Sequence, residues 1–226
     1  EVTWLDNQSG CKGVCEGVTT KAVSPEEYAS LCQDGRCLDE ALVQALSTQL
    51  SSTPADQVVV LHQLGNHGPS YYQRYPTAYE HFVPACENAD LAKCTREAIT
   101  NSYDNAILYT DNVLDQVIDT LEREHDYATA MVYLSDHGES LGEKGLYLHG
   151  IPYAIAPNEQ THVPMIWWLS TSFSQQQRLD TECLHRRANQ AASHDNLFHS
   201  VLGLLGVVTD VYQQEADISQ ACRFAK

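Results

Sequence analysis

One segment, residues 135–150, holds most of the side chains that could act together in chemistry. Its sequence is SDHGESLGEKGLYLHG, and its acids and histidines are Asp136, His137, Glu139, Glu143 and His149. Carboxylates and neutral imidazoles are common ligands of Zn²⁺, so the adjacent Asp136 and His137 could face one ion. Ionisable groups gather at functional sites, and their density here favours a metal site. The alternative is a polar surface loop in which Asp136 caps a helix.

A second segment repeats the pattern of an apolar run followed by a loop with histidine. Residues 57–62 read QVVVLH, which is typical of a strand, and GNHGP follows at 65–69. The run AMVYL at 130–134 precedes the first segment in the same way. Because parallel strands bring their carboxyl ends to one edge of a sheet, we expect the ligand-type residues of both loops to converge. These residues are His62, His67, Asp136, His137 and His149.

The rest of the pattern supplies elements that must position these loops. Apolar spacing predicts helices over residues 39–50, 95–124 and 194–205, and strands over 2–5 and 163–169. Ser24 to Glu27 has a proline and two acids where helices begin, which predicts a further helix start. In the long helix, the apolar positions are expected to include Ile99, Ile107 and Val113. The remaining histidines are interpreted as structural: His81, His125, His162, His185, His194 and His199.

The composition excludes several classes of protein. The 226 residues fit one large domain or two small ones, and a hydrophobic content of 43% allows a packed core. A formal net charge of −17 argues against nucleic-acid binding and against a basic membrane-adsorbing surface. No apolar run approaches the roughly 20 residues of a membrane helix. Residues 1–4 lack the features of a signal peptide, and we interpret the chain as a piece or a mature product.

Eight cysteines indicate an oxidising compartment. Three pairs are close in sequence, namely Cys11 with Cys15, Cys32 with Cys37 and Cys86 with Cys94, and Cys183 and Cys222 remain. Eight cysteines allow 105 pairings, so the sequence alone leaves the connectivity open. A zinc cluster is the weaker alternative, since the spacings are uneven and no C-x₂-C occurs. Disulfides therefore favour a periplasmic or extracellular domain.

Four motifs carry a resemblance to a known family. GNHGP at 65–69, SDHGESLGE at 135–143, YLHG at 147–150 and Val163-Pro164 resemble the phosphoethanolamine transferases of Gram-negative inner membranes. That group modifies lipid A and includes the mobile colistin resistance enzymes. The resemblance runs from about Trp4 to about Leu205. It implies the α/β fold of alkaline phosphatases and sulfatases, a three-layer α/β/α sandwich with a central, mostly parallel sheet, here lacking its N-terminal part.

The resemblance also implies roles for single residues. Asp136 and His137 match two ligands of the family's tightly held zinc. His67 and His149 match histidines that contact the phosphoethanolamine group, can hold further zinc, and are possible acid and base catalysts. Residues implied in substrate binding are Lys12, Gln8, His62, His67, Glu139 and His149. The implied disulfides are Cys11–Cys15, Cys32–Cys37, Cys86–Cys94 and Cys183–Cys222.

Two expected parts of the family's site are not found among these residues. The family's threonine nucleophile and a glutamate ligand have no matching motif, and Thr19, Thr20 and Thr110 lie in other contexts. We therefore expect residues 1–226 to be the C-terminal part of a periplasmic catalytic domain, without its transmembrane domain and catalytic start, and inactive by itself.

The reaction implied by the resemblance has two steps. Threonine attacks phosphatidylethanolamine, and lipid A then accepts phosphoethanolamine from the enzyme, which weakens binding of polymyxins. The expected protein is a monomer at the periplasmic face of the inner membrane, with zinc and two lipid substrates and no nucleic acid. One alternative is another superfamily member, such as a sulfatase-like hydrolase or a phosphoglycerol transferase. A non-catalytic periplasmic zinc-binding domain is the other.

Overall fold

The computed structural model describes residues 1–52 and 55–224. They form two compact units. The first consists of Glu1–Thr120 and His137–His162, and the second of Leu121–Asp136 with the chain from Val163 onward. In the part of the chain that is described, no helix combines the length and the apolar character needed to cross a membrane.

The strands are short and the helices vary widely in length. In chain order the strands are β1 (Val2–Asp6), β2 (Thr19–Ala22), β3 (Cys32–Gln33), β4 (Arg36–Cys37), β5 (Val58–His62), β6 (Ala130–Leu134), β7 (Ser140–Leu141), β8 (Tyr147–Leu148) and β9 (Met165–Leu169). The helices are α1 (Glu40–Ser52), α2 (Arg96–Glu122), α3 (Asn158–Thr161), α4 (Thr171–Gln176), α5 (Thr181–Arg187) and α6 (Asp195–Leu204).

A parallel sheet forms the centre of the first unit, in the order β2-β1-β5. The register places Asp6 opposite His62, so these two residues lie together at the carboxyl ends of β1 and β5. Thr3 and Leu5 of β1 are almost fully buried. The predicted α/β class with a parallel central sheet is confirmed.

Helices α1 and α2 supply most of the apolar core of the first unit. Buried residues of α2 recur at three- and four-residue intervals, at Ile99, Ser102, Ala106, Tyr109, Val113 and Val117. The predicted position of this helix is confirmed, but Ile107 lies off the stripe and is 45% exposed. Glu40 links the two helices, because it accepts hydrogen bonds from the Tyr109 hydroxyl and from the Gln116 amide. Burial, and next the contact with Glu40, raise the pKa of Tyr109.

The predicted helix start at Ser24 is wrong. Glu27 and Tyr28 both donate backbone hydrogen bonds to the Ser24 carbonyl, but only a turn forms, followed by a short 3₁₀ segment at Ala29–Leu31. The next residues enter the antiparallel hairpin β3–β4, which the Cys32–Cys37 disulfide closes. Too few residues remain before this hairpin to offset the cost of nucleating a helix.

The second unit is built on the antiparallel pair β6–β9, in which Ala130 lies opposite Leu169. Ser170 and Asp180 cap α4 and α5 by accepting backbone hydrogen bonds. Helix α6 forms close to its predicted bounds. All four implied disulfides are present: Cys11–Cys15, Cys32–Cys37, Cys86–Cys94 and Cys183–Cys222.

Candidate metal centre

Three histidines of the first unit converge. One ring nitrogen from each of His67, His137 and His149 lies within 4.8 Å of the others. The rings of His137 and His149 stack with centroids 3.9 Å apart, and His67 meets them edge-on at 5.8 and 4.9 Å. Three of the five residues predicted to converge therefore do so, but not for the predicted reason, because β5 and β6 belong to different sheets and β6 pairs with β9 in an antiparallel direction.

The contacts of the three Nδ1 atoms orient the rings. Nδ1 of His67 lies 2.7 Å from the Gly68 carbonyl oxygen, and Nδ1 of His137 lies 3.1 Å from that of Gly138. Nδ1 of His149 lies 3.1 Å from a carboxylate oxygen of Glu139. Each partner is a hydrogen-bond acceptor, so in the neutral form of each ring the proton lies on Nδ1 and the lone pair on Nε2. Metal-binding histidines are commonly held in this way.

The donor set fits a zinc ion. Three neutral imidazoles are a usual protein contribution to a catalytic zinc site, which keeps a further position for water or substrate. The second oxygen of the buried Glu139 carboxylate lies on the side of the Tyr71 hydroxyl, which keeps this carboxylate among polar protein groups beside the cluster. We name His67, His137 and His149 the histidine cluster.

A buried carboxylate holds the loop that carries His67. Asp39 accepts backbone hydrogen bonds from Leu64 at 2.9 Å and Gly65 at 2.8 Å, and one from the Asn7 amide at 2.7 Å. Burial raises the pKa of Asp39, and these three donors oppose that shift. The loop turns at Gly65, whose φ of +52° lies in the left-handed region that favours glycine.

Arg74 holds the same loop from its other side. Its Nε donates a hydrogen bond of 2.8 Å to the His67 carbonyl oxygen. Burial lowers the pKa of the guanidinium, and the charge of Asp39 opposes this change. Asp39 and Arg74 thus fix the backbone around His67.

The ribbon formed by β7 and β8 carries His149, and Gln160 of α3 ties it down. The buried Gln160 amide donates to the Ser140 hydroxyl at 2.8 Å and to the Leu148 carbonyl at 3.0 Å. The backbone carbonyl oxygen of Gln160 accepts a hydrogen bond from Gly138 N–H at 3.0 Å. A Cβ at Gly138 would lie 2.1 Å from the Glu159 carbonyl oxygen, so only glycine allows this approach.

Glu139 joins the two histidine-bearing loops. Its Oε1 accepts from Gly68 N–H at 3.0 Å and also contacts His149. Its side chain is only 4% exposed, whereas that of His149 is 30% exposed. The buried Tyr71 lies beside this carboxylate, and burial, followed by the charge of Glu139, raises the pKa of Tyr71.

His62 lies in a separate pair at the carboxyl edge of the sheet. Its Nδ1 is 2.5 Å from an Asp6 carboxylate oxygen, and its ring meets Trp4 at 5.1 Å. His62 is therefore not one of the three residues of the histidine cluster, contrary to the expectation that it would converge with them. Gln8 links the ends of the same strands, because its amide donates to the Gln63 carbonyl at 2.6 Å.

Lys12 and Asp136 are two further residues that the family resemblance placed at the site. Lys12 is exposed in the Cys11–Cys15 loop, with a φ of 50°. Asp136 belongs to the second unit, and its role as a ligand stays a prediction. The substrate roles of Lys12, Gln8 and His62 stay predictions as well.

Sequence reasoning missed the residues that hold the loops in place. Asp39, Arg74 and Gln160 have no motif of their own, and each reaches its partners only after folding. The one available signal was the density of glycine and histidine in the loops that they anchor.

Comparisons with known proteins agree with this architecture. A family model described as Sulfatase matches residues 1–207. The phosphoethanolamine transferase EptA of Salmonella typhimurium is 46% identical over 224 residues, which cover 98% of this chain and 41% of that protein. The phosphatidylethanolamine transferase Mcr-1 of Escherichia coli is 35% identical over 217 residues, 92% of this chain and 39% of that protein.

A solved structure of a phosphoethanolamine transferase domain has the same fold as this chain. The soluble domain of lipooligosaccharide phosphoethanolamine transferase A from Neisseria meningitidis superimposes with a TM-score of 0.95 at 45% identity. That match covers 100% of this chain and 68% of the other. The chain thus spans well under half the length of the two curated relatives.

Proposed function

The chain belongs to the sulfatase family, and we propose that its parent protein is a zinc-dependent phosphoethanolamine transferase that acts on lipid A. The family agrees with the resemblance that the motifs carry. Phosphatidylethanolamine is the donor in this proposal, and the modified lipid A confers polymyxin resistance. The relatives named as phosphoethanolamine transferases support the chemistry. The 226 residues would be the C-terminal part of a catalytic domain at the periplasmic face of the inner membrane.

The histidine cluster is the observation that carries this proposal. His67, His137 and His149 present one nitrogen each within 4.8 Å, at the places where the motifs of the family occur. We propose Asp136 as a further ligand beside His137. A bound zinc ion would polarise phosphoryl oxygens and lower the pKa of a bound hydroxyl.

The histidines would also act on the phosphoryl group directly. His149 is 30% exposed and is held at Nδ1, so when its Nε2 does not hold zinc this nitrogen can take a proton from an attacking hydroxyl, and the protonated ring can then donate a hydrogen bond to a phosphoryl oxygen. Hydrogen bonds from such fixed donors stabilise charge that develops in the transition state. We assign the same role to His67, whose ring the Gly68 carbonyl orients.

Glu139 orients histidine in this scheme and does not bind the ethanolamine ammonium. Its side chain is 4% exposed, and one of its oxygens is already occupied by Gly68 and His149. An ammonium ion reaching Glu139 would have to lose nearly all its water, which is costly without several new partners. Lys12, Gln8 and His62 are proposed to contact the substrate farther from the cluster.

The nucleophile is proposed to lie in a part of the parent that these residues do not include. None of the 226 residues forms the family's threonine motif, so we expect no transfer by this chain alone. Addition of the segment that precedes it in its relatives should restore transfer. Turnover by residues 1–226 alone would contradict the assignment.

The first test is the zinc content of the purified chain, measured by elemental analysis. His67→Ala and His137→Ala should each lower bound zinc, whereas His185→Ala, an exposed histidine of α5, should leave it unchanged. Zinc retained by both cluster variants would place the metal elsewhere and overturn the proposed site. A transfer assay on the extended protein, with phosphatidylethanolamine and lipid A, then tests the reaction.

A further inference from the structure

Tyr71 brings a hydroxyl group from the apolar core to the edge of the histidine cluster. The residue is 1% exposed and begins a 3₁₀ segment four positions after His67. Its ring meets that of Tyr103 edge-on, with centroids 5.5 Å apart. It shares an apolar cluster with Ile99 of α2, and Leu148 of β8 packs against the same cluster. These contacts hold the ring in place, and with it the hydroxyl.

The hydroxyl of Tyr71 and the carboxylate of Glu139 meet at Gly68. A Cβ atom added at Gly68 would lie 2.7 Å from the hydroxyl oxygen, so the backbone of this glycine passes directly over the tyrosine. The N–H group of the same glycine donates to Oε1 of Glu139 at 3.0 Å. Burial, followed by the charge of Glu139 and a hydrogen bond to it, raises the pKa of Tyr71. The two polar groups are therefore neighbours inside the first unit.

Both groups require a partner because they are shielded from solvent. Across residues 1–52 and 55–224, neither the Tyr71 hydroxyl nor Oε2 of Glu139 has a hydrogen-bond partner elsewhere. Buried polar atoms are paired in folded proteins, since an unpaired atom carries the full cost of leaving water. A tyrosine hydroxyl can donate and a carboxylate oxygen can accept, so each group supplies what the other lacks.

A partner at Oε2 affects the whole carboxylate. The other oxygen, Oε1, contacts Gly68 N–H and Nδ1 of His149. The terminal torsion of a glutamate side chain is soft, so a carboxylate that is held at one oxygen can turn about this bond. We propose that Tyr71 is a positioning residue of the histidine cluster, which donates its hydroxyl hydrogen to Oε2 of Glu139 and so fixes the carboxylate that orients His149. The inference rests on the proposed function, because it concerns the ligands of the proposed zinc site.

Hydrogen exchange of the metal-free chain tests the contact without zinc. Tyr71→Phe removes the hydroxyl and keeps the ring, so the carboxylate should loosen and the Gly68 amide should exchange about tenfold faster, as expected for one lost hydrogen bond. The amide of Leu64, which Asp39 holds in the same loop, is the internal control and should keep its rate. An unchanged rate at Gly68 would overturn the proposal, and so would equal acceleration of both amides, which a general loss of stability would cause.

Zinc affinity tests the consequence for the histidine cluster. In competition with a chromophoric chelator, Tyr71→Phe should bind zinc about tenfold more weakly, at the lower end of the effect of losing an outer partner of a metal ligand. Tyr212→Phe removes a hydroxyl from a carboxylate of the second unit and is the matched control, with unchanged zinc affinity. Normal zinc affinity in Tyr71→Phe would contradict the positioning role.

A double variant tests whether Tyr71 acts through Glu139. In a chain that already carries Glu139→Ala, Tyr71→Phe should cause no further loss of zinc affinity, because the carboxylate that the hydroxyl holds is absent. Additive losses would overturn the proposal, since they would show that the tyrosine affects the cluster independently of Glu139.

The exchange and zinc measurements separate this inference from the proposed function. If the cluster variants His67→Ala and His137→Ala keep their zinc while Tyr71→Phe accelerates exchange at Gly68 alone, the proposed metal site is wrong and the contact between Tyr71 and Glu139 stands. If the cluster variants lose zinc while Tyr71→Phe keeps normal exchange and normal affinity, the inference about Tyr71 alone is wrong.

Discussion

Among single side chains, Glu139 has the most direct influence on the geometry of the histidine cluster. Its Oε1 is shared by Gly68 N–H, which follows His67, and by the ring of His149. A carboxylate that accepts from a metal-binding imidazole fixes the ring and makes the opposite nitrogen a better ligand. The burial of Glu139 keeps water from competing for these contacts.

We predict that Glu139→Ala weakens zinc binding about 10- to 100-fold, the usual effect of losing such a partner. Glu139→Gln retains an acceptor oxygen and should have a smaller effect. Competition with a chromophoric chelator measures both, and Glu159→Ala, which removes a neighbouring exposed acid, is the control. In the extended protein, a Glu139→Gln variant with normal zinc affinity but a raised KM for the lipid donor would instead indicate a contact with ammonium.

Among the elements, the segment before α1 controls the loop after β5. Asp39 lies 25 and 26 positions before its backbone partners Leu64 and Gly65, and it directs that loop toward the histidine cluster. An amide in its place has a single acceptor oxygen, so at least one buried N–H would lose its partner.

We predict that Asp39→Asn lowers the free energy of unfolding by about 1–3 kcal/mol, the cost of an unsatisfied buried donor. It should also weaken zinc binding, because the backbone of His67 is released. Asp34→Asn, at an exposed turn, is the matched control. Urea unfolding and zinc titration measure the two effects, and wild-type zinc affinity in Asp39→Asn would contradict the positioning role.

In the second unit, Tyr212 fastens the segment that follows α6. Its hydroxyl donates to the Asp217 carboxylate at 2.7 Å. Burial, followed by this hydrogen bond and the negative charge of Asp217, raises the pKa of Tyr212 from its ordinary value of 10.0 to about 12. Because the pKa is higher in the folded state, the stabilisation is complete below pH 10 and is lost as the pH rises toward 12.

We therefore predict that Tyr212→Phe reduces the loss of stability between pH 10 and pH 12. Unfolding midpoints of the variant and the unmodified chain, measured across this range, should converge as the pH rises. A constant difference between the two proteins would show that the tyrosine contributes by packing alone.

For the whole molecule, the disulfides close loops of very different length. Cys183 and Cys222 are 39 positions apart, whereas Cys11 and Cys15 are 4 apart. Restriction of the unfolded chain predicts a loss of about 4 kcal/mol when the long loop is opened and about 2 kcal/mol for the short one. Paired Cys→Ser variants, compared by denaturant unfolding, should show this order, and a reversed order would contradict the entropic account.

Local sequence patterns predicted the strands and helices that are determined by residues near one another in the chain. The β-branched run of β5 and the apolar spacing of α2 determine the type of secondary structure at those positions, whatever the element packs against. The helix expected at Ser24 failed because the Cys32–Cys37 hairpin, a constraint outside that pattern, follows it closely. The histidine cluster could be predicted from its motifs, but Asp39 and Gln160 could not, since each acts through partners distant in sequence.

The shared oxygen of Glu139 also has a consequence for the order of events in folding. Glu139 and Gly68 are 71 positions apart, so their contact closes a long stretch of chain. Contacts of this range carry a larger entropic cost than the local contacts within a helix such as α2, and they tend to form later. Metal uptake by a refolding chain should lag behind the recovery of helical signal. A refolding chain that binds the proposed zinc with full affinity would therefore already have formed this long-range contact.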